Sequence, residues 1–186
     1  LAVLYTSLAG LSIPFEPVHL LFINLLTDSL PALAIGMEPP EKDLLKRKPR
    51  DQKEGILTRA FCVQILGQGI LSAIATMGAC HYGYLTDHMT AMTMAFSTLS
   101  LARLFHGFNC RSHHSIVRIG FRRNRYSLLA FAAGVFLLGI VLLVPGMHGI
   151  FSVVKLNITA YGIILLLSAL PTILIQLVRL LRENMH

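Results

Sequence analysis

Three oxygen-bearing side chains, Asn24, Thr27 and Asp28, sit at the centre of an apolar run from Pro17 to Met37, P-V-H-L-L-F-I-N-L-L-T-D-S-L-P-A-L-A-I-G-M, with Pro31 just after them. On an α-helix residues three and four apart share a face, so this spacing predicts that the three side chains point the same way. Pro31 has no N–H to offer the carbonyl of Thr27, which leaves a backbone oxygen beside the same cluster. Carboxylate, amide, hydroxyl and carbonyl oxygens are hard donors that suit calcium, magnesium, sodium or potassium rather than zinc or copper. Calcium takes about six to eight oxygens, so one helix supplies only part of a shell and other helices must complete it. The alternative is a packing cluster in which Asn24 and Thr27 bond to neighbouring helices. Asp28 argues against it: a carboxylate at mid-membrane costs at least about 2.5–3.5 kcal/mol and by default marks an ion or proton site.

Other side chains carry weaker signals. Cys62, Cys80 and Cys110 are scattered singly, without C-x-x-C spacing, and read as small apolar fillers rather than a disulfide framework or zinc site. His19 and His106 fall near span ends, where interfacial hydrogen bonding is expected before a proton relay. Gln64 and Gln68, four apart, are expected to bond across helices. N-I-T at Asn157 is a formal glycosylation sequon that matters only in a eukaryote, and Pro171 is expected to kink the last span.

The elements that must position these groups are set by composition. Hydrophobic residues make up 54% and charged residues 13% of the 186, and mean hydropathy is +0.66, which excludes a water-soluble domain. The formal charge of +7 does not indicate nucleic acid, because the basic residues fall in short loops between apolar runs and act as topology signals. Apolar spans are expected at 17–37, 60–84, 90–108, 127–144 and 158–178. The second is rich in glycine (Gly67, Gly69, Gly78, Gly83), which suits close helix packing. Residues 1–11 are too short to cross, reaching at about 1.5 Å per residue only about half of a ~30 Å hydrocarbon core. With no basic segment before it, this run reads as the end of a helix whose start lies upstream, rather than as a signal peptide.

Loops 38–59 and 109–126 and the tail after 178 hold seven, five and two Lys/Arg, against none at 85–89 and one, Lys155, at 145–157. The excess places the first three in the cytoplasm, so the span with Asp28 runs from outside to inside and the C-terminus is cytoplasmic. The expected fold is therefore an all-α, polytopic transmembrane helix bundle over 1–186, five full spans plus the end of a sixth. Continuous apolar runs without period-two alternation exclude a β-barrel.

The stretch P-V-H-L-L-F-I-N-L-L-T-D-S-L-P-A-L-A-I-G-M-E-P-P resembles the sixth transmembrane helix of type II P-type ATPases, with its N-L-x-T-D-x-x-P-A pattern and the proline-containing loop that follows. T-M-A-F-S-T-L-S-L-A-R-L-F-H-G-F-N-C-R-S resembles the eighth helix of their bacterial calcium-pump branch. The resemblance covers essentially the whole chain as a C-terminal membrane region. It implies that Asn24 and Asp28 are calcium ligands and that Thr27 matches a ligand of the second site in two-site pumps. Arg103 stands where two-site pumps place a glutamate, so a single calcium per cycle is implied; the guanidinium, about six residues from the cytoplasmic boundary, is also placed to snorkel. In such a pump an aspartyl-phosphate forms in D-K-T-G-T, and ATP and magnesium bind to cytoplasmic domains; the motif does not occur in this chain. The expected partners are upstream helices and cytoplasmic domains of the same polypeptide together with the lipid of the plasma membrane, and the 39–59 loop is expected near the phosphorylation domain. Two alternatives stay open at this point: a P-type pump for sodium, potassium, manganese or protons, and a passive channel or accessory membrane subunit.

Overall fold

A computed structural model describes residues 1–10, 12–40, 55, 57–112, 115–120 and 123–184. The described residues are helices and their connections, in the order α1 (Ala2–Leu8), α2 (Pro17–Phe22), a π-helical segment (Ile23–Asp28), α3 (Ser29–Gly36), α4 (Arg59–Tyr84), α5 (His88–Asn109), α6 (Ile116–Ile119), α7 (Arg125–Leu143), α8 (Pro145–Phe151) and α9 (Ile158–Asn184). The polytopic helical bundle is the fold expected from composition. Most of the 38–59 loop, at 41–54 and 56, lies outside the described residues.

Among the described residues four helical stretches are long and apolar enough to cross a membrane: Pro17–Gly36, Phe61–Tyr84, Arg125–Leu143 and Ile158–Asn184. The span expected at 90–108, now α5, is 22 residues long but too polar to join them, with Thr90, Thr93, Ser97, Thr98, Ser100, Arg103 and His106 along it. Its position explains the composition. α5 is the innermost helix, with Met94, Phe96, Leu101 and Leu104 in the core against Phe22, Ile23, Met77, Cys80, Leu138 and Ile164 from the elements around it. A helix screened by protein needs no apolar exterior, provided that its hydroxyls are satisfied within. Thr93 Oγ1 donates to the Met89 carbonyl at 2.8 Å and Ser97 Oγ to the Thr93 carbonyl at 2.6 Å.

The outer helices show the reverse pattern. Val63, Leu66 and Ile74 on α4, Leu129 and Phe136 on α7, and Leu166 and Ile173 on α9 are exposed large apolar side chains, the surface expected to meet lipid tails. Between helices that share an apolar solvent, close packing of small residues replaces the hydrophobic effect. The tight contacts fall at Gly83, where an added Cβ would meet the backbone of Ala91, at Gly107 against Pro31, and at Gly134 against Leu104. Only Gly83 belongs to the glycine set that sequence singled out; Gly69 and Gly78 make ordinary contacts with Leu1 and Leu167, and Gly67 has nothing within 4 Å.

Helix starts are fixed by side-chain caps. Asp87 accepts from the backbone N–H and hydroxyl of Thr90, both at 2.8 Å, to begin α5. Asn124 accepts from the Tyr126 and Ser127 N–H groups to begin α7. Asn157, noted in sequence as a sequon, accepts from the Ala160 N–H at 2.7 Å and caps α9. α9 runs through Pro171 to Asn184, beyond the expected end at 178. Cys62, Cys80 and Cys110 are free.

Candidate cation site

Asn24, Thr27 and Asp28 all fall within the π-helical segment, which interrupts the span between two α-helical halves. A π turn bonds i to i+5 instead of i to i+4, so the rule that residues three and four apart share a face no longer holds through it. The three side chains accordingly meet different surroundings: Asn24 is exposed, Thr27 is wholly buried and Asp28 is half-buried. The Thr27 hydroxyl donates to the Ile23 carbonyl at 2.8 Å, and the Ser29 hydroxyl donates to the Asn24 carbonyl at 3.1 Å. Single π turns inside α-helices are frequent at functional sites, because they leave the backbone ladder locally open. Pro31 lies just below, without an N–H and packed on α5 at Gly107.

Arg103 comes to the carboxylate from α5. Its Nη1 lies 3.4 and 3.5 Å from the two Asp28 oxygens, with 48% of the arginine and 35% of the aspartate side chain exposed. Charge-assisted hydrogen bonds run nearer 2.7–2.9 Å, so this is a loose pair. Among the described residues no three His, Cys, Asp or Glu side chains gather as a metal cluster. What the span offers is one carboxylate with neutral oxygens, suited to part of a hard-cation shell.

Both ends of the span are pinned, the outer by His19, for which the sequence predicts hydrogen bonding at a span end, and the inner by Glu38, which sequence did not single out. At the outer end His19 is fully buried. Its Nδ1 accepts the Glu16 N–H at 3.1 Å, its Nε2 bonds the Phe151 carbonyl, and its ring stacks on Phe96 at 4.3 Å. At the inner end Glu38 meets Arg111 in a two-pronged bridge, Nε to Oε2 at 2.9 Å and Nη2 to Oε1 at 3.0 Å, and Asn124 donates to both Glu38 Oε2 at 2.7 Å and the Ala34 carbonyl at 2.8 Å. Burial alone would raise the Glu38 carboxyl, but the hydrogen bonds from Arg111 and Asn124 and the charges of Arg111 and Arg123 outweigh it and hold it below the ordinary range. The only sequence cue was a glutamate directly before two prolines.

The remaining candidates are placed away from this site. Half-buried His106 meets the Asn109 amide at 3.4 Å. Asn109 itself bonds Thr172 and Gln176 of α9, and Arg179 donates to the Asn109 and Ser112 carbonyls, so α9 is laced to the end of α5. Gln64 and Gln68 face an open cavity of about 1300 Å³ between α4 and α9, beside Arg118, Arg179 and Arg182.

Residues 12–181 match the family described as "Cation transporting ATPase, C-terminus". The chain is similar to the calcium-transporting ATPase of Bacillus subtilis (strain 168), 36% identical over 178 residues that make up 94% of this chain and 20% of that protein. It is similar to calcium-transporting ATPase 1 of Bacillus cereus, 33% identical over 95% of this chain and 22% of the relative. A calcium-transporting ATPase of Listeria monocytogenes is 39% identical over 82% of this chain and 17% of its own length. The chain thus spans about a fifth of the length of these relatives.

Proposed function

The chain belongs to the cation-transporting ATPase C-terminal family, and from that membership we propose that it is the membrane-embedded, ion-binding part of an ATP-driven calcium pump that moves one calcium per cycle. The observation that carries this reading is the Asp28 carboxylate on a π turn inside an apolar span, faced by Arg103. In this reading Asn24 and Asp28 contribute oxygens to the transported calcium. Thr27 gives its hydroxyl proton to the helix backbone and shapes the turn, and Pro31 keeps the Thr27 carbonyl without an i+4 donor. The upstream helices of the same polypeptide complete the shell, since one carboxylate and one amide fall short of what calcium takes.

Arg103 supplies the charge that neutralises Asp28 between cations. A calcium ion arriving at Asn24 and Asp28 displaces the guanidinium, which is long enough to swing toward the cytoplasmic boundary. Asp28 is the one carboxylate of the span and α5 brings it an arginine in place of a second carboxylate, which is why one ion per cycle is proposed. ATP and magnesium bind the cytoplasmic domains of the whole pump, where the phosphoryl group is transferred to an aspartate. The protein lies in the plasma membrane, and the distribution of Lys and Arg supports a cytoplasmic C-terminus.

The test is Asp28→Asn in the full-length protein, measuring phosphoenzyme formed from ATP with and without calcium. Calcium dependence is expected to vanish; its retention would sink the assignment of Asp28. Because oxygen donors also suit other hard cations, calcium is to be compared with sodium, potassium and manganese as activators of ATP hydrolysis.

A further inference from the structure

The central span and α5 run side by side with a nearly constant offset in sequence. His19 and Phe22 meet Phe96, Asp28 meets Arg103, Pro31 meets Gly107, and Glu38 meets Arg111. Two of these rungs are arginine–carboxylate bridges, and they differ in kind. The Asp28–Arg103 bridge is loose and open to exchange, with 48% and 35% of its side chains exposed, whereas only 1% of Arg111 and 14% of Glu38 is exposed in the inner bridge. Glu38 accepts three hydrogen bonds, two from Arg111 and one from Asn124, and Asn124 also holds the Ala34 carbonyl and caps α7. Removing one partner of such a buried pair leaves an uncompensated charge, so the inner bridge resists opening while the outer one yields easily.

The segments between the two bridges are stiff. Ser29–Gly36 is α-helical, and α5 is helical to Asn109. The α-helical parts between the bridges, Ser29 to Gly36 and Arg103 to Asn109, rise about 10 and 9 Å at 1.5 Å per residue, and Glu38 and Arg111 each lie two residues beyond them. Pro31 against Gly107 lies between the bridges as a contact with no room for a further methyl group, because a Cβ on Gly107 would come within 2.8 Å of the Pro31 Cβ. A displacement at the inner bridge is therefore carried to the outer one.

We propose that the Glu38–Arg111 bridge, clasped by Asn124, is a positioning device that holds Arg103 in register with Asp28 and so sets the apparent calcium affinity of that carboxylate. The inference rests on the reading of Asp28 as a calcium ligand. Glu38, Arg111 and Asn124 are positioning residues that act through Arg103. With the bridge opened, the guanidinium is held less firmly against Asp28, and calcium displaces it at lower concentration.

The experiment is a double-mutant cycle on the full-length protein, reading the calcium concentration for half-maximal ATP hydrolysis and the maximal rate. Glu38→Gln is expected to lower the half-maximal concentration at least about threefold with the maximal rate kept within about twofold, and the exchanged pair Glu38→Arg with Arg111→Glu is expected to restore it. In an Arg103→Gln background the same Glu38→Gln change is expected to produce no shift. An unchanged half-maximal concentration, a shift toward weaker activation, or an equal shift in both backgrounds overturns the proposal. If Glu38→Gln does not fold, Asn124→Ala, which leaves both bridge partners in place, must shift the half-maximal concentration in the same direction, and its failure to do so is equally decisive. Retained calcium dependence in Asp28→Asn overturns the underlying assignment together with this one. Lost dependence there, with no shift from Glu38→Gln, overturns the positioning role alone.

Discussion

At Asp28 the relevant comparison is between two cations for one carboxylate. The resident guanidinium is held at 3.4 Å, longer than a charge-assisted hydrogen bond, and a divalent ion offers the carboxylate twice its charge. Arg103→Gln, which removes the competitor that Glu38 acts through, is therefore expected to lower the calcium concentration for half-maximal ATP hydrolysis at least as far as Glu38→Gln does, about threefold or more. Calcium titrations of the full-length variant and parent check it; a weakened response would mean that Arg103 helps calcium bind instead of competing with it. The Asp28 carboxylate and its oxygen-bearing neighbours were legible in the sequence, because a charge inside an apolar run is expensive and stands out. Their relative orientation was not. I-N-L-L-T-D fits an α-helix as well as a π-helix, and the choice depends on what grips the helix on either side.

At the scale of elements, the packing of the span on α5 turns on a missing methyl group. Gly107→Ala would press a Cβ within 2.8 Å of the Pro31 Cβ, and overpacking of this kind costs about 1–3 kcal/mol. A lowered inactivation midpoint on heating in detergent is the expected outcome, and an unchanged midpoint would show that the two helices separate freely. The start of α9 offers a second test. Asn157→Ala removes the oxygen that accepts the Ala160 N–H, with an expected loss of about 0.5–2 kcal/mol, read in the same assay. Hydropathy identified the lipid-facing helices α4, α7 and α9, whose exposed large side chains along the middle of each helix are apolar. α5, expected as a span at 90–108, is the least apolar of the spans because protein encloses it; Thr93 and Ser97 donate to carbonyls of the same helix. Glycine content was a poor guide to close packing for a related reason: Gly67 faces open space while Gly107 and Gly134 meet neighbours at once.

Across the whole molecule, the fold is tied at its inner end by polar side chains from distant parts of the chain. Glu38 meets Arg111 and Asn124, and Ser115 donates its N–H and hydroxyl to the Glu183 carboxylate at 2.8 and 2.6 Å. No local pattern reveals such pairs, because a loop glutamate and a loop arginine 73 residues apart read only as surface charge. Glu38 is held below its ordinary value of 4.5, so its contribution to stability is full at neutral pH and is lost as pH falls from that value through the depressed one. The difference in heat-inactivation midpoint between the parent and Glu38→Gln is thus expected to shrink on acidification below 4.5, and a constant difference would remove the charge from the account. The π turn, lying between an outer end fixed by His19 and an inner end fixed by Glu38, also has a meaning in units of chain length. A ring that closes over five residues where an α-helix uses four is an insertion of one residue, accommodated without shifting either flank. Deleting Leu26 should let the span close into a continuous α-helix with both ends still seated, giving a full-length protein that folds and reaches the membrane yet forms no calcium-dependent phosphoenzyme.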